Sequence, residues 1–316
     1  MQSIMPTSKN SWMTHILGLE RLFALQEPLM NESGNELDRA LLELCRPLLI
    51  LGAFYTQRPS VMNEPEWKVN TQPHISNGNP NSSDLSFLMG ILAELPALFV
   101  LCNECIRRRN MDSSSIPPTI VNVIWARVRQ VQQKLQIWKE KWSDEDQNEV
   151  GQTLPINKIY SVPIMAWTTV FHFNNVEIAI VFTMFHSAVI LLTSIPTSLL
   201  HFGLLGAPST ISSISGRHVS SEYQSQLPNV KTSVQSVCRS VEYYLQYLQP
   251  SQAPADFYLF FPMHIARRAS IQLGYSSELG CLDDAFRMMS SKFPMGVWAN
   301  MDFGNYFNGF GEGLFG

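Results

Sequence analysis

Charge is what this 316-residue chain has least of: Asp, Glu, Lys and Arg make up only 15% of it, against about 25% in an average globular domain. So few charges imply a large buried fraction, or a surface covered by something outside this sequence. Positive charge in particular is short, with 22 Lys and Arg against 26 Asp and Glu, a net charge of -4 and a pI near 6.0. No global positive field draws the chain to nucleic acid or to an anionic membrane. Cysteine is scarce and odd in number. Cys45, Cys102, Cys105, Cys238 and Cys281 lie mostly in apolar runs without a regular framework, which favours a reducing compartment. The opening "MQSIMPTSKN" has neither the basic start nor the apolar core of a secretory signal. Secretion is not expected, and the glycosylation patterns at Asn31 and Asn81 are read as chance matches.

The common signatures of catalysis are missing too. There is no glycine-rich phosphate loop ending in Lys and Ser or Thr, and no Gly-x-Gly-x-x-Gly with a strand before it. A Gly-x-Ser-x-Gly elbow and a His-Glu-x-x-His zinc helix are also absent.

What the chain does have is apolar residues, 45% of the total, recurring at helical spacing nearly everywhere. The expected fold is all-α: an irregular multi-helix bundle with long loops and no significant sheet. A first helix is expected over 9–25, with Trp12, Ile16 or His15, Leu19, Leu22 and Phe23 facing inward. Two helical pieces, 36–46 and 47–58, meet at Pro47, which either opens the second piece or kinks a single helix. A long loop follows over 59–83, then a helix capped by Asp84 and bent at Pro96. Pro117 and Pro118 open another, running to about Trp142. From 158 to 193 the seam Phe171, Asn175, Ile178, Phe182, Phe185, Val189 and Leu192 belongs at the centre of the assembly. Residues 194–229 read as an internal linker. Three more helices fall near 230–248, 256–274 and 278–291. The bundle is expected to span 1–298, and 299–316, the Gly- and Phe-rich "DFGNYFNGFGEGLFG" end, to be a flexible tail.

Leu85 to Cys102 and Val176 to Leu192 approach membrane-spanning length, but Glu94 and Pro96 interrupt the first, and Glu177 and His186 the second. Both are read as core helices. Cys102-Asn-Glu-Cys105 is the one metal-like pair, and no second pair completes four ligands; two thiols in a core are the plainer reading. His172, Glu177 and His186 could share a face as a proton-transfer site, although core or boundary histidines are commoner. Arg107 to Arg109 close a helix, where positive charge favours the dipole, with a nuclear-import or phosphate patch as the sharper alternative. Arg267 and Arg268 are read the same way. Trp138 and Trp142, one turn apart, form one packed face. No catalytic, cofactor, metal or nucleic-acid-binding residue is assigned.

The run Trp12-Met-Thr-His15-Ile-Leu-Gly18, followed by Leu22 and the turn at Glu27-Pro28, resembles the Trp-x-x-His-x-x-Gly opening of the helical regulatory region in fungal binuclear zinc-cluster transcription factors. Further landmarks follow in that family's order: Arg58-Pro59-Ser60 with Glu66 and Trp67, the Asp84 helix reaching Leu95 and Pro96, and "LQIW" ending at Trp138. The "FHFNNVEIAIVFTMFHSAVILL" stretch and Phe261 to Ala266 come after. Together they span about 11–298. The resemblance implies a helical regulatory and interaction domain without catalytic residues, in which His15 packs within a helix joint. The family's six-cysteine zinc cluster, its DNA reader, is not in this sequence. Such a chain is a truncated gene product, an isolated domain, or a regulator that works without its own reader.

The expected function is therefore transcriptional regulation in the nucleus, through the transcription machinery, a homo-oligomer or an unknown small effector. Direct DNA contact, membrane association and a cofactor are not expected. A helical enzyme with an apolar pocket around His172, Glu177 and His186 is the alternative, and a membrane-associated helical protein is another.

Overall fold

The computed structural model describes residues 11–25, 36–68, 80–111, 117–144, 154–155, 169–201, 229–247 and 253–292. The described chain is all-α. Its long helices are α1 (Ser11–Leu25), α2 (Glu36–Thr56), α4 (Pro80–Met111), α5 (Pro118–Asp144), α6 (Val176–His201), α7 (Val230–Tyr247), α8 (Ala253–Leu273) and α9 (Ser276–Lys292). A 3₁₀ turn, Val61–Asn63, and a one-turn helix α3, Pro65–Lys68, lie between α2 and α4. The pairing of β1 (Leu154–Pro155) with β2 (Thr169–Val170) is a two-residue antiparallel ladder, with Leu154 opposite Val170.

Helix α6 is the centre. It packs against α4, α7 and α8, and touches α5. Every residue from Ile178 to Leu192 is buried, so this helix is buried all round rather than along one stripe, as a helix enclosed on every side must be. The expected seam from Ile178 to Leu192 is therefore central. Phe171 and Asn175 precede the helix: the Asn175 side chain caps it, its Oδ1 accepting from the Ile178 amide at 2.8 Å. Asn229 caps α7 in the same way, accepting from the Thr232 amide at 2.8 Å.

Several boundaries differ from expectation, and proline is the main reason. Pro47 lies inside one continuous helix, α2, so of its two options the single helix holds and not the two pieces. The expected linker 194–229 begins as helix: α6 runs through Pro196 to His201, while 202–228 falls outside the described residues. Pro196 removes a ladder donor, yet Ile195 and Leu199 are fully buried. Burying two large apolar side chains contributes about 3–6 kcal/mol, enough to offset the roughly 3 kcal/mol cost of a helical proline. Thr193, Ser194 and Ser198 hydroxyls donate to the carbonyls of Val189, Leu191 and Ser194 at 2.6–2.8 Å. Asp84 is not an N-cap, since α4 starts at Pro80, a proline in the first turn where its missing amide costs nothing. The expected loop 59–83 holds the 3₁₀ turn and α3, and 69–79 lies outside the described residues, as does the expected tail 299–316.

Helix α1 rests on α2 through Ile16 and meets Trp67 of α3 through Phe23, and both residues are buried. His15 is exposed, which corrects the expectation that it packs in a helix joint. The reason lies on the partner helix: Ile16 nests over Gly52, where an added methyl would collide with Ile16 Cγ2. The close approach that Gly52 permits selects Ile16, not His15, as the inward residue. We predict that Gly52→Ala costs about 1–3 kcal/mol by overpacking this contact. Urea unfolding checks it; a change under about 0.5 kcal/mol, typical of a neutral surface substitution, would place α1 elsewhere.

The end of α8 shows where glycine is required. Gly274 adopts φ +68°, and the Tyr275 amide reaches back to the Ser270 carbonyl at 2.9 Å. This is the left-handed cap that turns the chain directly into α9.

Candidate functional site

The polar groups of the core gather where α6 meets α7. On α6, Thr183 Oγ1 lies 3.1 Å from the Tyr244 hydroxyl of α7, and it also donates to the Ala179 carbonyl at 2.9 Å. One turn later, His186 Nδ1 lies 3.1 Å from the Ser233 hydroxyl. Thr183, Ser233 and Tyr244 have no solvent exposure. Buried polar groups of this kind are tolerated because they satisfy one another.

An aromatic layer surrounds His186. The Phe182 and Phe185 rings stand edge-on to it at 4.5 and 5.2 Å. Trp138 of α5 stacks on Phe185 at 5.5 Å and on Trp142 at 5.6 Å, so the two tryptophans form the packed face expected of them. Phe173 continues the layer, 5.4 Å from Phe182 and 5.1 Å from Tyr243. Burial in this apolar shell, with Lys139 adding a smaller repulsion, pulls the His186 imidazole down to about 3. The ring is therefore neutral at physiological pH. Burial likewise raises Tyr244 far above the ordinary phenol range, partly opposed by its bond to Thr183.

This arrangement gives His186 the commoner of its two readings, a core histidine satisfied by a neighbouring hydroxyl. Glu177, in the first turn of α6, is exposed, whereas His186 is buried. His172 stands against Tyr243 at 5.7 Å, and the rings of Tyr243, Phe173 and Phe182 lie in sequence between it and His186. What the sequence reading missed was the α7 partner of His186, Ser233, which recurs with Ser236 and Ser240 at helical spacing on the buried face of that helix, a small-polar stripe visible in the sequence.

The α7 helix also anchors the segment leading into α6. Arg239 donates to the Thr169 carbonyl and hydroxyl at 3.1 and 2.9 Å, and its guanidinium lies 4.0 Å above the Phe171 ring. Glu242, on the same helix, is buried, and its Oε2 has no hydrogen-bond partner among the described residues. Burial raises its carboxyl above the ordinary range, toward the neutral form that an apolar site favours.

Cys102 and Cys105 are both buried in α4. Burial first and the neighbouring thiol second push Cys102 up to about 12, so the thiol is protonated at neutral pH. No cluster of three or more His, Cys, Asp or Glu side chains that could hold a metal occurs among the described residues. The basic triplet is partly neutralised from within its helix: Glu104 accepts from Arg107 at 2.9 Å and from Arg108 at 2.7 Å. Those bonds hold the Glu104 carboxyl down at about 2. Arg267 pairs with Asp283 of α9 at 2.6 Å.

Two helical stretches, Asp84–Met111 and Val176–Pro196, are long and apolar enough to cross a membrane. Of their most apolar windows, 56% and 89% are buried inside the protein, so in the second the apolarity is largely used up in core packing.

No family model, curated protein or solved structure matches this chain.

Proposed function

We propose that this chain is a helical regulatory and interaction domain that controls transcription in the nucleus, of the kind found in fungal zinc-cluster factors, acting through protein contacts and not by touching DNA itself. One observation carries the reading. Landmarks that follow the family's order in sequence stand at junctions of a single helical core. Trp67 packs edge-on to Phe23 at 5.4 Å, Leu95 and Pro96 are buried in α4, Trp138 stacks on Phe185, and Phe261 meets Phe54 at 6.0 Å. The polar seam between α6 and α7 supports the same view. A neutral histidine locked to a serine inside an aromatic layer sets the register of two helices, a task suited to a domain that transmits a packing change. Its mechanism would be a shift between helical packings that masks or exposes a partner surface.

Tethering tests the proposal. The full chain, fused to an unrelated DNA-binding module, is expected to change expression of a matched reporter several-fold in a filamentous fungus, in either direction. Expression equal to that of the module alone, with the fusion present in the nucleus, would overturn it. In a gel-shift series the chain by itself is expected to show no sequence-specific binding. Salt-sensitive nanomolar affinity for one DNA sequence would instead mean that it reads DNA directly.

A further inference from the structure

The packing of α9 on α7 places two thiols together that nothing above uses. Gln235 Nε2 donates to Glu278 Oε1 at 3.0 Å, and one turn further along α7 the Cys238 thiol points at the Glu278 carbonyl, 3.9 Å away. Cys281 lies one turn beyond Glu278 on α9, in register with Cys238 one turn beyond Gln235 on α7, so the same packing brings the two thiols side by side. Both are reduced and buried. The contact is reinforced at the start of α9, where Lys231 Nζ lies 5.6 Å above the Tyr275 ring.

We propose that Cys238 and Cys281 form an oxidant-closed lock between α7 and α9. The oxidant is hydrogen peroxide. One sulfur attacks the O–O bond and takes up one oxygen as a sulfenic acid, and the departing hydroxide leaves as water with the thiol's proton. The second thiol then displaces the hydroxyl from the sulfenic sulfur, forming the S–S bond and a second water. Two thiols are oxidised and one peroxide is reduced to two waters. The neighbouring thiol, burial and the nearby Glu278 all keep Cys238 protonated, so the first step is slow while α9 is seated. Opening of α9, the last described helix, exposes the pair, and the disulfide then fixes the helix against α7. This inference stands whether or not the chain regulates transcription.

The test is peroxide treatment of the folded full chain, alkylation, and tryptic mapping without reductant. The expected result is a disulfide joining the peptides 232–239 and 269–287, together with a thermal midpoint raised by several degrees and restored by dithiothreitol. Cys238→Ala, checked for helical content by circular dichroism, is expected to lose both responses. Recovery of both peptides alkylated and unlinked after treatment would overturn the proposal. So would crosslinks distributed equally over Cys45, Cys102 and Cys105, or an unchanged midpoint once the link has formed.

Discussion

Trp138→Ala is expected to lower the unfolding free energy by about 3–5 kcal/mol, the range for removing a buried aromatic from a core. The indole is 3% exposed and lies between two aromatic partners, Trp142 at 15° and Phe185 at 25° interplanar angle. Through Phe185 it connects α5 to the central helix. Truncation removes both stacked contacts at once and leaves a void that neither neighbour can fill without abandoning its own packing. The indole Nε1 has no hydrogen-bond partner among the described residues, so alanine orphans no polar group and the loss is one of packing alone. Trp138→Phe separates these effects. It keeps a ring in the stack and removes an N–H whose burial without a partner costs about 1–3 kcal/mol, so its loss should fall well below that of alanine. Urea unfolding followed by circular dichroism measures both. An alanine loss below about 1 kcal/mol, within the range of modest substitutions, would mean that α5 is not held through this contact.

The contact between α5 and α6 also shows what was legible in the sequence. Trp138 and Trp142 stand one turn apart with charged residues between them, and a 3.6-residue period leaves them a single shared face. Helix α5 opened at Pro118 as its proline pair suggests, and α7 to α9 fall within three residues of their expected bounds. Where the reading failed, the missing information lay on another helix. His15 and Ile16 are adjacent, and either fits the stripe of α1. The choice is made by Gly52, 36 residues away in α2, and no pattern within α1 contains it. Pro196 was missed, and Pro47 left with two options, for a related reason: a proline reads locally as a break, while the burial that carries a helix through it is tertiary. The proton-transfer trio stayed an alternative beside the core-histidine reading because spacing specifies a face but not its depth. Glu177 and His186 lie on one helix, the first beside solvent and the second inside the core. The serines of α7 were readable as a stripe, but the pairing of Ser233 with His186 of α6 was not.

Acid is expected to destabilise the fold through His186. In the unfolded chain an imidazole titrates near 6.5, while in the folded core burial holds His186 down to about 3. Above 6.5 the residue is neutral in both states and its full contribution is present. As pH falls below 6.5 the unfolded chain takes up a proton that the folded chain refuses, so stability declines by about 1.4 kcal/mol per pH unit, reaching about 2 kcal/mol by pH 5. The decline continues until pH approaches the folded value. Glu20 and Glu242, both raised by burial, act with the opposite sign: they bind protons more readily when folded and so favour the fold as pH drops toward the ordinary carboxylate range. The wild-type curve is thus a sum, and the clean observable is its difference from His186→Gln. Glutamine can keep a hydrogen bond to Ser233 and does not titrate. The variant is expected to be less stable at pH 7.5 but to show a pH slope between 5 and 6.5 reduced by about one proton. Superimposable slopes, measured by urea unfolding at half-unit intervals, would mean that His186 accepts a proton in the folded protein. The neutral link between α6 and α7 would then not describe the seam.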